Sequence, residues 1–130
     1  MNTRALFVAA ALLAATLPAV AGRKVPWPVT IDLANRTAYG SLGSTRNSPD
    51  TESQLGCSVH YDAANQKNNV NCIAADPKGR SVQCASQQPE LVQIALGLNG
   101  DSFLQFWWDD NRTCTNILVD NHSIYEPKQP

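Results

Sequence analysis

Charge and catalytic side chains are scarce in this sequence. Only 16% of its residues are charged and histidine occurs twice. Lys and Arg stand singly apart from Arg23-Lys24, so no basic patch exists to hold a phosphate backbone and no nucleic-acid partner is expected. No glycine-rich phosphate cradle is present, and the cysteines are separated by gaps of fourteen, eleven and twenty-nine residues, without the close ligand pairs of a zinc site. Neither a metal nor any other cofactor is expected. Long apolar runs are also missing: the longest, Ala5–Leu17, is short of the ~20 residues that span a bilayer.

That run has another reading. Arg4 precedes it, Pro18 breaks it, and Ala19-Val20-Ala21 supplies the small-x-small pattern of a signal-peptidase site. Residues 1–21 are therefore expected to be a signal peptide cleaved before Gly22, leaving a secreted or periplasmic chain of 109 residues without a membrane anchor. No cysteine follows the small residues, which argues against a lipid anchor. Without Arg4 the balance is nine basic to eleven acidic residues, and Asn, Ser, Gln and Thr dominate the polar surface. In an exported chain the four cysteines, Cys57, Cys72, Cys84 and Cys114, read as two disulfides, each contributing roughly 2–4 kcal/mol.

Residues 22–36 carry two prolines around Trp27 and then the alternating "VTIDL", the pattern of an extended arm ending in a short strand. Residues 37–130 form a single domain. Its first twenty residues, "TAYGSLGSTRNSPDTESQLG", are turn-rich. Three alternating stretches follow, "CSVHYD", "VNCIA" and "SVQCA", separated by polar turns, and describe an antiparallel meander with its cysteines facing inward. The period then changes. Ser86 as N-cap, Pro89-Glu90 in the first turn, apolar Leu91, Ile94, Ala95 and Leu98, and Gly100 as stop predict a helix of about ten residues. "DSFLQFWW" and "CTNILV" flank "DDNRT" as a hairpin. The class is α+β: a small, mostly antiparallel sheet of meander plus hairpin, covered by one helix and held by two disulfides.

Turns centred at Ala64-Asn65 and at Lys78 place Cys72 opposite both Cys57 and Cys84. Cys57 and Cys84 then flank the middle strand at twice the ~4.8 Å strand spacing, beyond the ~7 Å reach of a bridge. Two connectivities remain: Cys57–Cys72 with Cys84–Cys114, which is favoured, and Cys72–Cys84 with Cys57–Cys114.

The residues "LGC", C-x-A at 72–74, a cysteine shortly before "PELV", "DSFLQFWW" and "CTNILV" resemble a group of small exported bacterial four-cysteine proteins. The likeness covers residues 37–128 and implies export and the cysteine pattern; the group has no known activity to lend. "STRNSPD" has its counterpart there too, which marks Arg46, Ser48 and Asp50.

Several constellations have plain structural readings. Ser58, His60 and Asp62 alternate on one strand, yet i and i+2 lie ~6.6–6.8 Å apart, too far for a nucleophile and its base. Asp109-Asp110 lack calcium-loop spacing and suit a turn. Arg46 and Asp50 are expected to pair across their loop, with ligand contact as the alternative. His122 belongs to a surface loop. Asn35, Asn111 and Asn121 head glycosylation sequons, and the resemblance to bacterial proteins implies that they are not glycosylated.

Trp107 and Trp108 point to opposite faces of their strand. Trp108 shares parity with Leu104 and Phe106 and is expected in the core beneath the helix. Trp107 shares parity with Phe103 and Gln105: it is either buried, as large aromatics usually are, in the core or under the Trp27 arm, or part of an exposed aromatic patch. With no close nucleophile and base in view, the functional reading is a non-catalytic binding or inhibitor-like module. Phe103 and Trp107 are its preferred patch and Arg46 to Asp50 its second, with another extracellular protein or a carbohydrate as partner. A small secreted hydrolase and a structural envelope protein are the alternatives.

Overall fold

The computed structural model describes residues 22–130; the expected signal peptide lies outside them. Seven strands and two short helices follow in the order β1 (Thr30–Asp32), β2 (Thr37–Ser41), α1 (Leu42–Arg46), β3 (Gln54–Asp62), β4 (Lys67–Ala75), β5 (Ser81–Ser86), α2 (Pro89–Ala95), β6 (Phe103–Trp108) and β7 (Cys114–Asp120). The class is the α+β one that the alternation implies. The strands divide into two antiparallel sheets, β1-β2-β6-β7 and β3-β4-β5, where a single sheet was expected.

The meander forms in the anticipated register. Cys72 stands opposite Cys57 in one pair and opposite Cys84 in the other. The bridges are Cys57–Cys72, inside the three-stranded sheet, and Cys84–Cys114, which ties that sheet to β7 of the other. The second bridge depends on an irregularity. Strand β7 pairs Asn116 with Trp107 but Cys114 with Trp108, so Thr115 is an extra residue in a β-bulge. In a regular ladder running through Thr115, Cys114 would share the outward parity of Asn116 and Leu118; leaving Thr115 out of the pairing turns Cys114 inward, where it is fully buried.

One core joins the layers. Ile31, Ala38, Leu104, Phe106 and Ile117 come from the four-stranded sheet, Leu55, Val70, Cys72, Ala74 and Cys84 from the other, and Leu91, Val92 and Ala95 from α2. The expected arm is the edge of the larger sheet: β1 pairs with β2 from Thr30 to Asp32. β2 and α1 arise within the stretch read only as turns. Ser41 caps α1, its Oγ accepting the Ser44 N–H at 3.3 Å.

Helix α2 is shorter than the apolar spacing implies. It ends at Ala95, after which the N–H groups of Gly97 and Leu98 turn back to the carbonyls of Ile94 and Ala95. Its N-cap is Gln88 rather than Ser86, whose Oγ instead accepts the Gln88 N–H at 3.2 Å. Among the described residues every buried side-chain nitrogen or oxygen has a hydrogen-bond partner.

Candidate binding surface

The four-stranded sheet has one face in the core and one outside it. Register places Tyr39 beside Gln105 and Leu118, Thr37 beside Trp107 and Asn116, and Ser41 beside Phe103 and Asp120 on the outer face. Three half-buried aromatic rings thus alternate with amides and hydroxyls on rigid strands. Gln105 is fixed: its Nε2 donates to Thr37 Oγ1 at 3.0 Å, and that hydroxyl donates to the Phe106 carbonyl at 3.0 Å. The Gln105 Oε1 accepts no hydrogen bond among the described residues. A face of this kind offers apolar ring surface and directed acceptors together.

Phe103 and Trp107 share this face but differ in surroundings. Phe103 lies under three rings, with centroids 5.3 Å from Tyr125, 5.6 Å from Trp27 and 6.3 Å from Tyr39. The Trp27 arm therefore covers Phe103, while Trp107, at the other end of β6, stays half-buried among Thr37, Gln105 and Asn116.

Trp108 departs from its expected place in the core. It rests against Phe106 with ring centroids 5.8 Å apart and lines an open groove of about 510 Å³ with Leu33, Ser81, Val82, Gln83 and Arg112. This groove lies where the β1–β2 turn, β5 and the β6–β7 turn meet, and the last ends beside the bulge that re-aims Cys114. Arg36 and Arg112, one in each turn, hold positive φ angles of 48° and 60°. Nothing in the one-dimensional pattern marks these residues as neighbours; the one available signal was the polar turn "DDNRT" directly after an aromatic pair.

The second candidate pair separates. Arg46 Nη1 donates to the Gly100 carbonyl at 2.8 Å instead of pairing with Asp50. Asp50 organises its own loop, accepting from Ser48 Oγ, from Glu52 N–H at 2.8 Å, from Ser53 N–H at 2.6 Å and from Ser53 Oγ at 2.9 Å. These donors, the Ser48 hydroxyl foremost, hold its carboxyl well below the usual carboxylate range.

Other carboxylates also close turns. Asp62 accepts from Ala64 N–H, Asn65 N–H and Asn65 Nδ2, and the Asn65 amide is the main cause of its lowered pKa. Asp109 accepts from Asn111 and Thr113 N–H at 2.9 Å, and Asp110 pairs with Arg36. His60 is exposed opposite Asn69, and His122 Nδ1 accepts the Ile124 N–H at 3.2 Å. Among the described residues no three His, Cys, Asp or Glu side chains converge as metal ligands. No described helix is long and apolar enough to cross a membrane.

Fold and surface together define a disulfide-linked two-sheet α+β domain with an aromatic and amide outer face. No family model, curated protein or solved structure matches the chain.

Proposed function

We propose that the protein is an exported, non-catalytic binding module whose outer sheet face, centred on Trp107 with Phe103 behind it, contacts a carbohydrate or another extracellular protein. One observation carries this reading: Trp107 stands half-buried on a rigid strand, flanked by the positioned amide of Gln105 and by Asn116. A ring of that kind offers apolar contact area at little entropic cost, and neighbouring amides supply orientation. Export is supported by the signal-like residues 1–21 and by two disulfides, which persist in oxidising compartments. The resemblance to small exported bacterial proteins supports a periplasmic or secreted location. Arg46 and Asp50 are a weaker choice of contact, because both are engaged within the fold.

The test has two readouts. Iodide quenching of tryptophan fluorescence, compared between wild type and Trp107→Phe, reports whether Trp107 is open to solvent; native gels containing soluble polysaccharides report carbohydrate retardation. The reading expects weaker quenching in the variant and, for a carbohydrate ligand, loss of retardation in Trp107→Ala. Unchanged quenching would place Trp107 in closed packing and remove the aromatic face as the working surface.

A further inference from the structure

A second surface, on α1, already holds a peptide: the chain's own residues Glu126–Gln129. Asn47 Nδ2 donates to the Pro127 carbonyl at 3.0 Å, and Asn47 Oδ1 accepts the Gln129 N–H at 2.8 Å. One side-chain amide thus brackets Lys128 from both sides, much as a neighbouring strand would. The Lys128 N–H donates to Asp101 Oδ1 at 3.0 Å. Gly43 lets the backbone lie flat, since a Cβ there would overlap the Glu126 carbonyl oxygen. Ser44 Oγ donates to the Glu126 carboxylate at 3.3 Å.

These contacts specify a ligand. The first position supplies an acceptor side chain to Ser44 and its carbonyl to the Gly43 shelf. The second uses no N–H, so proline fits, and proline keeps the residue before it extended. The third and fourth must donate N–H groups and cannot be proline. Beyond that, recognition is of main chain: the Lys128 and Gln129 side chains are exposed.

We propose that the Gly43–Asn47 groove is a recognition site for extended acid-proline-x-x segments of a partner protein, occupied in cis by residues 126–129 until such a segment displaces them. Tethering gives the tail an effective concentration of about millimolar, so the site is masked from weak ligands and open to a segment that adds contacts of its own. This surface adjoins the outer sheet face at Tyr125, which stacks on Phe103, but does not include Trp107, and the proposal stands whether or not Trp107 binds anything.

The experiment uses the full chain carrying Lys128→Pro and Gln129→Pro, which removes both main-chain donors of the tail and leaves the groove unaltered. Two capped peptides are titrated into isotope-labelled protein followed by NMR: residues 124–130, and an unrelated Gly-Glu-Pro-Ala-Ala-Gly. The Asn47 side-chain amide of the unlatched variant is expected to move away from its wild-type position. Both peptides should return it saturably, with affinities within about threefold of each other and at least ~10-fold tighter than for wild type. Asn47→Ala in the same background should abolish binding, as should proline at the third peptide position. An unmoved Asn47 amide in the variant, absence of binding, or binding that survives Asn47→Ala would each overturn the site. Binding of the 124–130 peptide alone would overturn the partner-segment reading.

Discussion

Gly43, Asp76 and Tyr125 show how single side chains, or the lack of one, fix the loops and tail of this protein. Gly43→Ala adds one methyl group where the Glu126 carbonyl passes, so the tail should lift while the sheets stay intact. Limited trypsin digestion followed by mass spectrometry should show the Lys128–Gln129 bond cut several-fold faster than in wild type. Asp76 is buried: that burial works to raise its carboxyl, but bonds from Arg80 Nε at 2.6 Å and from the Arg80 and Lys78 N–H groups at 3.0 Å outweigh it and leave the pKa lowered. Asp76→Asn should therefore lower the melting temperature, and more at pH 7 than at pH 3, where the native carboxylate's advantage fades. Tyr125 is pushed the other way, up to about 12, by burial and by its 2.6 Å hydrogen bond to Asp120. A phenol whose folded pKa is raised contributes stability below its unfolded value near 10 and loses it as pH rises towards 12. Ultraviolet titration should find one of the three tyrosines ionising about two units above an ordinary phenol.

Among the elements, the two bridges differ in what they close. Cys57–Cys72 spans 15 residues within a hairpin that hydrogen bonds already define, whereas Cys84–Cys114 spans 30 and joins the sheets. Loop closure assigns ~3 kcal/mol to the shorter and roughly 3.6 to the longer. Replacing Cys84 and Cys114 by serine should cost about 3–4 kcal/mol in urea unfolding, and also free β5 from β7. Deleting Thr115 joins Cys114 directly to Asn116 and makes the ladder regular, with Cys114 still opposite Trp108 and still inward; mass spectrometry should then find the Cys84–Cys114 bridge retained. The meander was legible in the sequence because alternation fixed its inward set and the two turn centres fixed the register that places Cys72 between Cys57 and Cys84. β2 and α1 were not: "TAYGSLGSTR" has no apolar period, and its strand is held between β1, just before it, and β6, far away in sequence. The bulge escaped because a single inserted residue changes parity without changing composition. Trp108 was misplaced on parity alone, since its position next to that bulge puts it at the rim of the core.

At the scale of the whole molecule, Asp32, Asp50, Asp62 and Asp76 all have carboxyls lowered by hydrogen-bond donors in their own turns. Groups with depressed folded pKa values add stability above an unfolded value near 4 and lose it as pH falls, so the melting temperature should be flat above about pH 5 and decline steadily below pH 4. A scan from pH 7 to 2 checks this. The outer-face candidates were visible in the parity of Phe103 and Trp107, although their different surroundings depend on where the arm and tail cross. The peptide groove was invisible, because Asn47 and Pro127 are ordinary loop residues until the fold brings them together. Cys72, finally, faces two possible partners in the same meander, and this bears on how the oxidised chain is reached in time. Once β4 and β5 zip together, a Cys72–Cys84 bond is as near at hand as the native one, and it leaves Cys57 and Cys114 stranded. Oxidative refolding should accumulate this one misbridged species, escape from it by thiolate exchange over minutes to hours, and accelerate when a disulfide isomerase is added.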